Sequence, residues 1–322
     1  MAEAASTAPV WALTTGEAGA AGQAEGLAAA VGRPFEARTV RLRRPWSWLP
    51  AHRQAPGLLR NGLAEPIVPP WPELLITCGR RSASVSIAVR RASAGGCFTV
   101  HIQNPRVPLR HFDLVVPPRH DGIGGPNVLA TRVALHRLTP EAVAAAGEAW
   151  RDRLGDLNVA VLLGGRSRSH RFTPETVEAL ADGLAGLEGP VAVTASRRTE
   201  PDVIAALKAR LPDAWFWDGT GCNPYPGMLA LARHIVVTED SVSMTSEAVS
   251  TGKPVYAARM AGGNRRLARF QAALMAEGVL RPFEGRLEDW RYEPVNEVPR
   301  VAAELLRRME ARKLQAGRLR GE

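Results

Sequence analysis

The stretch Val236-Val-Thr-Glu-Asp-Ser-Val-Ser-Met-Thr-Ser-Glu-Ala-Val-Ser-Thr-Gly-Lys-Pro-Val-Tyr256 decides the fold. A short apolar run ends in a Ser/Thr-rich turn, and a helical segment closes at Gly252-Lys253-Pro254 before a second apolar run to Ala257. That order is a strand, a helix and a parallel strand, the repeating unit of an α/β sheet. N–H groups at a helix start lack intrahelical acceptors and carry partial positive charge, so with the Ser241, Ser243 and Thr245 hydroxyls they suit a diphosphate. Glu247 falls about one turn further in, where its carboxylate can accept from both hydroxyls of a ribose. The same residues also fit an ordinary helix capped by Asp240 or Ser241.

Working outward, the pattern repeats on both sides. Strands are expected at 158–163, 191–195 and 235–238, with helices at 173–187, 201–211, 226–233 and 265–277. Earlier in the chain, strands are expected at 10–14, 35–40, 74–77, 98–102 and 114–116, with helices at 23–31, 82–94 and 140–154. A last helix is expected near 297–315. A length of 322 residues fits two domains. We therefore expect two Rossmann-like, doubly wound parallel-sheet domains, 1–150 and 151–322, facing across a cleft, with the closing helices packing back on the first. The second would hold a nucleotide through the diphosphate and ribose contacts described above.

Ligands of open parallel sheets bind at the carboxyl ends of the strands. Gly164-Gly165-Arg166-Ser167 and Ser196-Arg197-Arg198-Thr199 fall at two such ends, and arginine suits bidentate phosphate contact. Asn223, in Asn223-Pro224-Tyr225, follows another and would edge the pocket. Gly252-Lys253 runs into proline, so no Walker loop is present. No Asp-x-Asp pair occurs to hold a divalent ion on a diphosphate, which predicts a metal-independent site with no cofactor. Gly16-x-x-Gly19-x-x-Gly22 has the spacing of nucleotide-sugar epimerases, but the residues four beyond Tyr225, Tyr256 and Tyr292 are Leu229, Met260 and Asn296. The Tyr-x-x-x-Lys pair that chemistry needs is missing. Gly16 and Gly19 instead mark a loop whose backbone approaches a phosphate. For a base that takes an acceptor proton, Glu17 and Asp121 are the candidates, with His120 beside the latter.

The net charge is +9, and of the 41 basic side chains only Lys208, Lys253 and Lys313 are lysine. The excess concentrates between Arg33 and Arg60, where Arg43 and Arg44 flank Trp46 and Trp48. Arginines for head groups and indoles for the interface describe a patch for an anionic membrane surface. No nucleic-acid module accompanies the charge. The three cysteines Cys78, Cys97 and Cys222 are scattered, and the start of the chain lacks a secretory signal. A cytoplasmic protein, peripheral on the inner face of a membrane, is the expectation.

Two resemblances sharpen this. Ser246-Glu-Ala-x-x-x-Gly-Lys-Pro-Val255 resembles the donor-site helix of GT-B glycosyltransferases, including the peptidoglycan lipid-linked N-acetylglucosaminyltransferase, where a Glu at this place binds the ribose. Trp11-Ala-Leu-Thr-Thr-Gly-Glu-Ala-Gly, Gly79-Arg-Arg-Ser, Leu163-Gly-Gly, Thr194-Ala-Ser-Arg-Arg-Thr, Asn223-Pro-Tyr and Val237-Thr-Glu-Asp-Ser-Val-Ser-Met, in this order, resemble the mitochondrial-fission "elongated mitochondria" family and its bacterial relatives. The resemblance implies a GT-B-like fold. It implies either a glycosyltransferase using a nucleotide-diphosphate sugar on a lipid-linked or envelope acceptor, or a non-catalytic protein recruiting a protein partner at a membrane.

Overall fold

A computed structural model describes residues 9–53, 57–217 and 219–318. Contacts group the chain into two compact units, residues 1–137 with 297–322, and residues 138–296. In the first unit the chain runs β1 (Val10–Thr14), α1 (Ala18–Ala30), β2 (Phe35–Thr39), α2 (Leu58–Asn61), β3 (Leu74–Cys78), α3 (Ala83–Ala92), β4 (Phe98–Ile102) and β5 (Leu114–Val116). These strands form one parallel sheet in the order β2-β1-β3-β4-β5. Every residue of β1, β3, β4 and β5 is buried, as expected of parallel strands covered on both faces.

The second unit runs α4 (Pro140–Leu154), β6 (Val159–Leu163), β7 (His170–Arg171), α5 (Pro174–Ala185), β8 (Val191–Ala195), α6 (Pro201–Arg210), β9 (Trp215–Phe216), α7 (Tyr225–Leu231), β10 (His234–Thr238), α8 (Val242–Val249), β11 (Val255–Ala258), β12 (Ala261–Gly262), α9 (Arg265–Ala276) and β13 (Arg281–Pro282). Its parallel sheet has the order β13-β11-β10-β6-β8-β9, while β7 and β12 pair as a small antiparallel ribbon. The last helix, α10 (Val298–Arg318), belongs to the first unit. Its Val301, Ala302 and Leu305 join Ala24 and Leu27 of α1 in that unit's core.

The division between units differs from the expected 150/151. Helix α4 belongs with the second unit because it lies against α7 through facing glycines. A Cβ on Gly147 would meet that of Ala230 at 2.9 Å, and one on Gly227 would meet the Trp150 ring at 2.7 Å. Of the two closing helices, only α10 returns to the first unit. Helix α1 begins earlier than its glycines suggest. The amides of Ala20 and Ala21 both donate to the Glu17 carbonyl, which places Gly19 inside the helix and leaves Gly16, at φ 92°, as the loop glycine. An Ala-rich sequence propagates a helix through isolated glycines.

Candidate functional site

Each sheet reverses its direction of growth once, and such switch points open a crevice at the carboxyl ends of the flanking strands. In the first unit the reversal lies between β1 and β3, in the second between β6 and β10. The loops leaving β6 and β10 are the Gly164-Gly165-Arg166 and Glu239-Asp240-Ser241 segments, and Ser196–Thr199 leaves the adjacent β8.

Asp240 holds these three loops together. Its carboxylate accepts from the Gly165 amide (3.2 Å), the Thr238 hydroxyl (2.7 Å) and the Arg198 guanidinium (3.0 Å), and its side chain is fully buried. Thr238 in turn accepts from the Gly164 amide at 2.7 Å. Arg198 also donates to the Gly165 and Arg166 carbonyls, and Thr199 to that of Gly164. The glycines are required by proximity. A Cβ on Gly164 would lie 2.0 Å from Asp240 Oδ1, and one on Gly165 would lie 2.1 Å from the Arg198 carbonyl oxygen. Ser196 and Thr199 bond each other at 3.1 Å, and Ser167 accepts from the Ser169 and His170 amides ahead of β7. Gly164, Gly165, Arg198, Thr199 and Asp240 thus build the platform. Arg166 and Arg197 are exposed on it, and among the described residues neither guanidinium has a hydrogen-bond or ion-pair partner.

Helix α8 opens on this platform. Ser241 caps it, its Oγ accepting from the Met244 amide at 3.3 Å, while Ser243 stands in the first turn. Capping uses a lone pair of Ser241 and leaves its O–H able to donate outward. One turn in, the Tyr225 hydroxyl donates to Glu247 Oε2 at 2.5 Å. Burial, and then the Glu247 charge and hydrogen bond, push the Tyr225 phenol well above its ordinary value, so it remains a proton donor that orients the carboxylate. Asn223 sits at the start of α7, its Oδ1 accepting from the Tyr225 amide at 3.0 Å, an Asx turn that presents Tyr225. Sequence reasoning named Asn223 and missed Tyr225. The only signal was its place two residues on in the same loop. Lys253 donates to the carbonyls of Ala230 and Ala232 at the end of α7, and burial lowers its ammonium to about 8.

In the first unit, Glu17 is exposed at the start of α1 and accepts from the Thr15 hydroxyl at 2.6 Å. Asp121 is different: its side chain is 5% exposed, 3.9 Å from the equally buried His120. The basic patch divides. Trp46 packs against the cluster of Leu13, Leu58, Leu59 and Leu63, so as a membrane-facing indole it is a correction. Gly62 makes room for it, since a Cβ there would come within 2.8 Å of the ring. Trp48 is 69% exposed, with the Arg44 guanidinium 5.0 Å over its ring. Arg43 is exposed and donates to the Ala64 carbonyl at 3.0 Å. Among the described residues no three His, Cys, Asp or Glu side chains gather as metal ligands, and no helix is long and apolar enough to cross a membrane.

Two α/β units, each a parallel sheet with a switch point, define a protein of the GT-B fold. S. aureus MnaA, in a co-structure with UDP, shares this fold at a TM-score of 0.50 and 13% identity, over 92% of this chain and 87% of that one. The chain belongs to the Mitochondrial fission ELM1 family, whose model matches residues 18–309. It is 33% identical to the Mitochondrial fission protein ELM1 of Arabidopsis thaliana over 276 residues, 75% of this chain, and spans 65% of that protein's length. An uncharacterized protein of Rickettsia prowazekii, RP120, is 26% identical over 278 residues, 72% of this chain and 78% of that one.

Proposed function

We propose that the second unit binds a nucleotide-diphosphate sugar and that the protein transfers the sugar, without a metal, to a lipid-linked or envelope acceptor at a membrane's inner face. The observation that carries this is Glu247, held by Tyr225 one turn inside a helix that opens at the β6/β10 switch point. In this reading Glu247 takes the ribose hydroxyls. The first-turn amides of α8, with Ser241 and Ser243, take the diphosphate, and Arg166 and Arg197 neutralise the charge that grows on it as the glycosidic bond breaks. Gly164, Gly165, Ser167, Ser196, Arg198, Thr199, Asn223 and Asp240 shape the pocket rather than contact the donor. Glu17, the exposed carboxylate, is the better candidate to take the acceptor proton, and Asp121 the weaker one. Arg43, Arg44 and Trp48 would face the anionic surface.

The test is a thermal-shift scan of nucleoside diphosphates and their sugars, starting with UDP because S. aureus MnaA holds it. A ligand at 100 times its Kd stabilises by about 2.7 kcal/mol. We expect at least one response, lost in Glu247→Ala. Silence across all nucleotides would overturn the reading. The alternative, a non-catalytic GT-B protein that recruits a protein partner, draws on the fission function named for the Arabidopsis relative. It predicts that Glu17→Gln and Glu247→Ala leave partner recruitment intact.

A further inference from the structure

The first unit holds a concave site of its own. A cavity of about 280 Å³ is lined by Trp48, Pro50, Arg80, Arg81, Pro105 and Arg106, among others, and by no acidic side chain among the described residues. The arginines come from two neighbouring strand ends. Arg80 and Arg81 follow β3 at Gly79, and Arg106 stands in the loop that follows β4, which pairs with β3 in parallel. Among the described residues none of the three guanidiniums has a hydrogen-bond or ion-pair partner, although arginines elsewhere in this unit pair with Glu73, Asp113 and Glu297. Three like charges gathered without a counter-charge repel one another, and a dianion in their midst removes that repulsion.

The backbone supplies a second, independent observation. The loop after β4 holds Gln103 at φ 75° and Arg106 at φ 55°, a conformation that side chains other than glycine adopt rarely and that gathers at ligand sites. Arg106 keeps it with its amide donated to Asn104 Oδ1 at 2.8 Å, and in it Arg106 lines the cavity. The lining is apolar as well as basic. Trp48, 69% exposed, stands with Pro50 and Pro105 beside the arginines.

We propose that this cavity is a phosphate-ester site, in which Arg80, Arg81 and Arg106 hold the phosphoryl oxygens and Trp48 with the two prolines holds the carbon portion. The site lies wholly within the first unit and does not rest on the nucleotide reading of the second, and its test uses no nucleotide. The full-length chain is titrated calorimetrically with inorganic phosphate, phenyl phosphate and monomeric dihexanoyl phosphatidic acid. Both esters are expected to saturate one site and to bind more tightly than inorganic phosphate. Arg80→Ala/Arg106→Ala is expected to weaken both by about tenfold or more. Arg60→Ala/Arg110→Ala, with the same loss of charge at exposed positions outside the cavity, is expected to leave both unchanged. Trp48→Ala should bring the esters down to the level of inorganic phosphate. Tighter binding of the lipid than of phenyl phosphate assigns the site to a lipid head group, and equal binding to a soluble phosphate ester. If the double alanine variant melts early, Arg80→Gln/Arg106→Gln gives the same readout. Absence of saturation by either ester would overturn the site, as would equal loss in the Arg60/Arg110 control. Inorganic phosphate binding as tightly as the esters, with no effect of Trp48→Ala, would overturn the ester assignment.

Discussion

Removing the Asp240 carboxylate tests whether the platform under the proposed donor site is a structural device. In Asp240→Ala the Gly165 amide and the Thr238 hydroxyl lose their acceptor in the interior, and Arg198 loses its ion-pair partner. Each buried donor left unsatisfied costs about 1–3 kcal/mol. The Arg198 side chain is 46% exposed, so water replaces most of its share. The sum is roughly 3 kcal/mol, which in a domain of this size lowers Tm by about 6–12 °C. Differential scanning calorimetry measures it, with two transitions resolved if the units melt separately. Gly164→Ala supplies an internal check, since its Cβ would lie 2.0 Å from Asp240 Oδ1. It should destabilise wild type strongly and the Asp240→Ala background much less, a non-additivity of about 1 kcal/mol or more. Were Asp240→Ala to melt within 1–2 °C of wild type and yet abolish nucleotide binding, the carboxylate would be a ligand group, and the platform argument would be wrong.

Three further outcomes follow from the first unit. His101 is buried with Nδ1 on the Thr77 hydroxyl at 2.9 Å, and burial pulls its imidazole down to about 3. The unfolded chain binds that proton from about 6.5, so wild-type stability should fall as pH drops below that value, by up to about 1.4 kcal/mol per pH unit, and His101→Phe should flatten the slope in denaturant titrations. Burial pushes the Asp113 carboxyl up, but bonds from Arg90 and the Thr99 amide, with the Arg312 charge, outweigh it and hold the group below its ordinary 3.8. Its stabilisation is present above that value and lost as pH falls through the folded one. Asp113→Asn should therefore be less stable than wild type at pH 7 and converge with it in acid. Trp46→Ala should cost about 2–3 kcal/mol in urea unfolding, since the indole fills a core cluster, while the exposed Trp48→Ala should stay within about 0.5 kcal/mol.

Much of the fold was legible because parallel strands covered on both faces are rich in apolar and β-branched residues. Val10–Thr14, Phe98–Ile102 and Val191–Ala195 read as strands with no ambiguity of face, and the structure keeps those bounds. Thr139 and Thr173, each followed by proline, open α4 and α5 and cap them through their side chains. The two-residue strands β7, β12 and β13 left no mark, because a pair of residues carries no period. Of the two closing helices expected on the first domain, α9 groups with the second unit and α10 with the first. Val301 and Leu305 of α10 form an apolar stripe four residues apart, which says that the helix is buried but not against which sheet.

The candidate site was legible in position and less so in role, for a physical reason. Residues at the carboxyl ends of parallel strands must satisfy the backbone where the sheet stops, and they are also the ones placed to meet a ligand. Asp240, Thr199 and Arg198 have side chains that suit a phosphate pocket, and the fold spends them on the amides and carbonyls of neighbouring loops. What separates the two roles is partnership. Arg166 and Arg197 stand at equivalent strand ends with no protein partner among the described residues, as do Arg80, Arg81 and Arg106 in the first unit. Arg198, one residue from Arg197, is bound three times over. Spacing along the chain cannot distinguish adjacent arginines, since the distinction depends on where Asp240 arrives from 42 residues away. Guanidiniums that the fold leaves unpaired at a switch point are therefore better ligand candidates than those singled out by motif alone. By that criterion Arg197→Ala should weaken nucleotide binding without lowering Tm, whereas Arg198→Ala should lower both.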